Sequence, residues 1–574
     1  MPILIDESGE SGHIATGRRR RTYGEHAPAV ISALLLSTFH LSCSFPFILF
    51  FSVSSMPEIP LELVEQILIR ADLQTISRCR QVSKGFDQLI LSSQAIQYKV
   101  ELDANGYADG PPGGLPTSER LQALQSLTTA WATMQPTNTV HFPINIRRVL
   151  STPYGLFGDH FVWFTDLEIC VMQIPSVYRG IPMKKWTIAP RVVVERLQTF
   201  VIDQDQDLFV AVELHNDECT MSLWSLTTGD AYTNATKQTF SLDVGVGHGH
   251  PTSCGFGPID IYDSFIGVLF YSNIQGGEEA DELESLFLYN WKTGELITRI
   301  HGPRMHFSFL TEKHLLLTYA HNLTPVPDNR TAVLSVIDLE TLVDAGARDY
   351  EIPDLKPVCE LHSPEFYHAD DMCPSFESRR SRRNAYSLRV PFYRGEDRIL
   401  AWVMTMSWAH TAILLRTSTI MDFIHSVEKG DLEKGHKFAW EDWATKCCGI
   451  FYDRDEDFTP KACGTNVVTI TPVDVVIPDN TSSIALFDFA SGRAKRLRSD
   501  DRRSEPAGSL WHRHDAFKYQ VHYRGTLETR CPARRLGIPE RILLAERPQD
   551  VLLGDHCIII VDMDESQPFR MVSF

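Results

Sequence analysis

Leu223-Trp224-Ser225-Leu226-Thr227-Thr228-Gly229 and Leu288-Tyr289-Asn290-Trp291-Lys292-Thr293-Gly294 spell one phrase twice, an apolar β-favouring run followed by a polar turn that closes on Thr-Gly. The frame returns in Val336-Ile337-Asp338-Leu339-Glu340-Thr341 and Leu486-Phe487-Asp488-Phe489-Ala490-Ser491-Gly492, with a weaker copy at Ile560-Val561-Asp562-Met563-Asp564. Physically this is a strand entering a tight turn. Asn or Asp can hydrogen-bond its own backbone, and the closing Gly takes positive φ without steric cost. Other apolar runs, Leu208–Val212, Phe265–Phe270, Leu315–Tyr319 and Val551–Leu553, precede the copies. The copies stand roughly 50–75 residues apart, or multiples of that, which suits propeller blades with loop insertions better than solenoid repeats. From about residue 140 onward, period-2 apolar patterns dominate and the length would hold six to eight such blades. A β-sandwich pair or an irregular all-β domain is the alternative.

The stretch before this region reads differently. From Met56 the chain runs Met-Pro-Glu-Ile-Pro-Leu-Glu-Leu-Val-Glu-Gln-Ile-Leu-Ile-Arg-Ala-Asp. Pro60 suits the first position of a helix and Glu62 favours its positive end. Val64, Ile67, Leu68 and Ala71 share one helical face, while Leu61, Leu63 and Ile69 carry apolar surface well beyond it. A second short helix runs through Leu73, Ile76 and Cys79, and a third carries Phe86, Leu89 and Ile90 before Tyr98. A helical module this small, below ~70–80 residues, seldom builds a sufficient core alone. Its surplus apolar surface must meet another protein or the rest of this chain.

Ile59-Pro60-Leu61-Glu62-Leu63-Val64, Ile67-Leu68, Ile76, Cys79-Arg80-Gln81-Val82-Ser83-Lys84-Gly85-Phe86 and Leu89-Ile90, in that order, resemble the F-box motif. The family often has Leu in place of Ile59 and Trp in place of Phe86, and both changes keep the apolar character. The next segment of the chain is similar to a large fungal, basidiomycete-type F-box family: Gln97-Tyr98-Lys99-Val100-Glu101-Leu102, Gly106, Asp109-Gly110-Pro111, Glu119-Arg120-Leu121, Leu124 and Trp131. In that family a linker helix follows the box and ends near a tryptophan. Phe200-Val201-Ile202-Asp203 and Gln206-Asp207-Leu208 also look like its first β region. The resemblance implies a Skp-type adaptor, and a cullin through it, gripped by Ile59, Pro60, Leu61, Val64, Ile67, Leu68, Ile76, Val82 and Phe86. The β region resembles WD-type blades only loosely, since no Gly-His and Trp-Asp signature recurs. The expected architecture is a multi-domain α plus all-β chain: an N-terminal extension at 1–55, an F-box at 56–102, a linker helix region at 103–139 and a β-propeller-like domain at 140–574.

The extension poses its own question. Arg18–Arg21 precede a run from Ala29 to Val53 without Asp, Glu, Lys or Arg, longer than the ~20 residues that cross a bilayer. Arginines held in the cytosol would send everything after Val53 across the membrane, away from any cytosolic adaptor. The expectation is therefore a native start at or near Met56 and a cytoplasmic or nuclear protein. A membrane anchor through residues 29–53 is the alternative, for which glycosylation at Asn322 or Asn480 would be telling.

Composition narrows the chemistry. With 54 Lys+Arg against 73 Asp+Glu, the formal charge of −19 repels phosphate. The short basic runs at Arg18–Arg21 and Arg379, Arg380, Arg382 and Arg383 read as loops, so no nucleic-acid partner is expected. The 12 cysteines form no C-x-x-C and read as buried thiols. No phosphate loop, zinc-protease helix or nucleophile elbow occurs. Gly245-Val246-Gly247-His248-Gly249-His250 is a near miss for a dinucleotide loop and reads as a turn; His248 and His250 lack a third metal ligand. Asp453-Arg454-Asp455-Glu456-Asp457 opens like a calcium loop, but Phe458 stands where Gly is required. That segment and the cluster Glu278, Glu279, Asp281, Glu282 and Glu284 read as solvated loops. Trp163, Trp224, Trp291, Trp402, Trp440 and Trp443 read as packing. No metal, cofactor or catalytic residue is expected. The sequence therefore points to a non-catalytic substrate receptor, with a propeller scaffold capped by its own helices, a membrane-anchored lumenal protein and a propeller hydrolase as competitors.

Overall fold

A computed structural model describes residues 59–142, 153–165, 168–189, 196–215, 218–242, 253–273, 283–322, 329–367, 372–377, 390–406, 409–453, 460–471, 483–489, 534–537, 548–562 and 569–574. The hydrophobic run 29–53, both basic runs, His248, His250, Asn480 and residues 454–458 lie outside them. The chain divides into two compact units, Met1–Leu61 and Glu62–Phe574. Of the first, Ile59, Pro60 and Leu61 are described, and all three are exposed. Among the described residues no helix is long and apolar enough to cross a membrane.

The second unit is a seven-bladed β-propeller with helices before its blades and in connections between strands of a blade. Its first blade is an antiparallel meander of Tyr154–Phe157, His160–Phe164, Ile169–Gln173 and Lys184–Ile188. Six more sheets follow in chain order. The seventh combines Pro548–Leu553, Cys557–Asp562 and Phe569–Ser573 with Asn138–Phe142, a strand from the beginning of the β region that pairs antiparallel with the last strand of the chain. The two ends of the β region thus close the ring in one sheet, which leaves no long open edge.

Alternate residues of a strand point to opposite faces of its sheet, so each blade buries both faces against its neighbours. The core is accordingly a circle of apolar clusters, one between each adjacent pair of blades. Leu156, Phe161 and Trp163 of the first blade, for example, meet Ile559, Val561 and Phe569 of the seventh. The six tryptophans expected to pack are all buried.

The repeated phrase marks the third strand of a blade. Glu218–Ser225 and Leu283–Asn290 end in the turns it predicts, with Gly229 at φ +73° and Gly294 at φ +79°. Asn290 Oδ1 accepts from the amides of Lys292 and Thr293, the local turn bond that this residue type favours. Two copies behave otherwise. Asp338 ends its strand but caps a helix, Leu339–Ala345, because its carboxylate accepts from the amides of Glu340 and Thr341. The weak copy at Ile560 lies in the second strand of its blade, not the third. Glu284 corrects another expectation. It is not in a solvated loop but lies buried in a strand, where its carboxylate accepts from the amide of Met305.

Candidate functional site

Among the described residues, five helices precede the blades: α1 (Leu61–Arg70), α2 (Leu73–Val82), α3 (Lys84–Ser92), α4 (Gln94–Asn105) and α5 (Thr117–Thr133). Short helices leave many unpaired end groups, and polar side chains meet them here. Asp72 caps α2 by accepting from the Thr75 amide at 2.6 Å, a bond that holds its carboxyl below the ordinary aspartate value. Ser83 caps α3 through the Phe86 amide and Ser93 caps α4 through the Ile96 amide. Arg80 and Asp87 pair across the α2–α3 corner at 2.9 Å.

Within the second unit, these helices gather around Leu68, Ile76, Ile90 and Ile96, all buried, with Val64, Ile69, Cys79, Phe86 and Leu89 half-buried around them. This small core divides the residues expected to grip an adaptor. Leu68 and Ile76 are 3% and 1% exposed, so they support the module's surface from beneath rather than forming it. Val64, Ile67 and Phe86 are half-buried. Val82 stands 66% exposed. Leu63 and Leu91, absent from that expected set, are 52% and 54% exposed. Leu63 could have been found from its place off the Val64, Ile67, Leu68 stripe. In the first unit, Ile59 and Leu61 are exposed as well.

The next helices turn the other way. Tyr98 and Leu102 of α4 and Leu124, Leu127 and Trp131 of α5 are buried in the cluster that holds Val468, Leu486, Val551, Ile558 and Val572 of the last two blades. Trp131 stacks on Phe574 with ring centroids 4.1 Å apart. Tyr107–Asp109 forms a two-stranded ribbon with Phe392–Arg394. Arg120, itself buried, pairs with Asp109 at 2.8 Å and donates to the carbonyls of Pro111 and Gly113, which pins the intervening loop. Tyr98 donates its hydroxyl to the Pro391 carbonyl at 2.9 Å, and burial raises its phenol far above the ordinary value.

Beside the ribbon lies a cavity of about 790 Å³. Its lining comes from six separate segments: Ala108 of the ribbon, Tyr262 of the third blade, Leu310 to Glu312 of the fourth, Tyr393 to Arg398 before the second strand of the fifth, the helix Thr417–Glu428, and Gly464 of the sixth. The sequence contains no local motif for this cavity, because no two of its walls are neighbours in the chain.

The turns between first and second strands carry buried polar groups. Gly158-Asp159-His160 in the first blade and Gly554-Asp555-His556 in the seventh occupy equivalent turns. His556 accepts from Arg179 at Nδ1 and donates from Nε2 to the Ile174 carbonyl, an arrangement that requires the neutral ring. Burial and then the Arg179 charge lower its pKa to about 4. Among the described residues, no three His, Cys, Asp or Glu side chains are placed to hold a metal ion.

No protein-family model matches the chain, and no curated protein matches it. Three solved structures to which it is similar are the protein lmo1340 from Listeria monocytogenes EGD-e, the WD40 domain of SCAP from fission yeast, and the Dos1 propeller. The first is 10% identical with a TM-score of 0.37, covering 76% of this chain and 98% of that one. The SCAP domain is 7% identical with a TM-score of 0.30, covering 74% and 81%. The Dos1 propeller is 8% identical with a TM-score of 0.31, covering 76% and 94%.

Proposed function

We propose that this chain is the substrate-receptor subunit of a Skp–cullin–F-box ubiquitin ligase in the cytoplasm or nucleus. The helical module docks the Skp-type adaptor, and a cullin through it, while the propeller presents a protein target. No residue of the chain performs bond chemistry. Rate comes from proximity, since holding target lysines near a thioester on another subunit raises their effective concentration. One observation carries the reading: Leu63 and Val82 lie exposed on helices whose own core is complete without them. Isolated exposed apolar residues are ordinary, but Leu63, Val82 and Leu91 are three of them on one short module, a concentration that favours docking. Helix α4 supports the same reading. Its Ile96 packs in the module and its Tyr98 and Leu102 pack on the propeller, so one continuous helix fixes the distance between adaptor and target.

The competing reading is a propeller scaffold with no adaptor, favoured by the way α4 and α5 seal onto the last blades. Affinity capture of the full chain, expressed from Met1 and from Met56, separates the two. Recovery of a Skp-type adaptor, lost in a folded Leu63→Glu/Val82→Glu variant, supports the receptor. Absence of adaptor from both wild-type captures supports the scaffold.

A further inference from the structure

The cavity beside the ribbon has a charge pattern that selects its guest. Asp397 is already committed, to Arg416 at 2.9 Å and to the Ser418 amide at 3.0 Å. Both arginines in the lining are buried and turned to the protein. Arg398 donates to the Phe309 carbonyl at 2.7 Å, and Arg394 donates to Thr465 and to the Asp555 carbonyl while lying 4.6 Å from the Tyr107 ring. Glu312, Glu396 and Asp422 are exposed in the lining and have no ion-pair partner among the described residues. A concave, partly apolar site concentrates the field of such charges.

Three further features define what the field would hold. Glu312, Glu396 and Asp422 reach the cavity from three separate segments of the chain, and a planar, multi-donor cation can answer several such carboxylates. Tyr262, Tyr393 and Met421 add apolar surface to the lining, which suits a cation carried on an aliphatic stem. A volume of about 790 Å³ takes one or two long side chains but not a folded domain. The buried arginines would repel a cation pushed to the floor, so the charged head belongs at the acidic rim.

We propose that this cavity is a recognition subsite for arginine-bearing peptide segments of the target. This inference rests on the receptor reading and names the chemical class of its substrate. The guanidinium sits among Glu312, Glu396 and Asp422, with its stem against Met421 and the tyrosine rings. An acidic or phosphorylated segment is rejected by the same charges.

A fluorescein-labelled hexapeptide, Ala-Arg-Ala-Ala-Arg-Ala, titrated into the full chain tests this, with the Glu-for-Arg peptide alongside. The decisive variants are Glu312→Gln/Glu396→Gln/Asp422→Asn in the cavity and Glu218→Gln/Asp344→Asn/Glu441→Gln outside it, which remove equal charge. The expected result is a loss of about tenfold or more in Arg-peptide affinity for the cavity variant only, and no binding of the Glu peptide. Equal losses in both variants mean adventitious attraction to an acidic protein and overturn the proposal, as does an unaffected cavity variant. Competition by arginine amide as strong as by unlabelled peptide overturns the peptide assignment in favour of a small cation. Adaptor capture on the same preparations keeps the readings apart. Peptide binding without adaptor sinks only the ligase role; adaptor capture without peptide binding sinks only this subsite.

Discussion

Helices α1 to α3 and the pair α4 to α5 follow one another along the chain, yet they dispose of their apolar surface in opposite ways. The later pair buries Leu102, Leu124, Leu127 and Trp131 on the propeller, beneath Phe574 at the end of the chain. The earlier three close a small core around Leu68, Ile76 and Ile90, joined only by Ile96 from the start of α4, and leave Leu63, Val82 and Leu91 outside. Composition does not distinguish the two groups, since both carry large apolar residues and each includes a serine-capped helix, at Ser83 in the first and Ser93 in the second. The difference lies in whether a neighbouring surface exists to receive them. Helices that have found their partner within the chain serve stability, and helices that have not are available to another protein.

Breaking the sealed side should have the largest effect. Trp131→Ala removes a stacked, buried ring and should lower stability by about 3–5 kcal/mol, read as a shift in the urea midpoint. A shift no larger than that of a surface substitution would erase the contrast between the helix groups. Acid should separate the propeller from the module next. His556 is held neutral with a folded pKa of about 4, below the ordinary histidine value. Between that ordinary value and about pH 4 the unfolded chain binds the extra proton, so stability falls as pH falls, by up to about 3 kcal/mol. Residues 59–105 contain no histidine, so an α1–α3 probe should follow this loss only through the propeller. His556→Gln should flatten the dependence over that window, and an unchanged slope would assign the acid sensitivity elsewhere. Asp72→Ala should cost the module about 1 kcal/mol through its lost cap, seen as faster hydrogen exchange in α2 without a change in the blades. The smallest effect belongs to Leu63→Ala and Val82→Ala, each within about 0.5 kcal/mol of wild type in thermal unfolding. A larger loss would show that these side chains are covered.

The repeated turn phrase made much of the ring legible, because its physics is local: a strand, an Asn or Asp, and a glycine at positive φ. The module's helices were equally readable from their spacing, with Leu73, Ile76 and Cys79 in α2 and Phe86, Leu89 and Ile90 in α3. What remained hidden depends on distant partners. The closing strand Asn138–Phe142 looks like linker until its pairing with Phe569–Ser573 is seen. Glu284 reads as a surface acid until the amide of Met305 arrives to receive it. The helix Thr417–Glu428 was missed because the surrounding region is dominated by strand alternation, yet Ile420, Phe423, Ile424 and Val427 keep helical spacing. The site divided in the same manner. Spacing identified an apolar face on α1, but only packing showed that Leu68 and Ile76 lie beneath it while Leu63 and Val82 lie outside.

Hydrogen exchange on the full chain, alone and with a purified Skp-type adaptor, tests the central claim most directly. The account predicts slowed exchange confined to α1 and α2, with α4, α5 and the blades unchanged. Exchange in α1 and α2 that is unaffected by saturating adaptor, or protection that appears only on the blades, would contradict it.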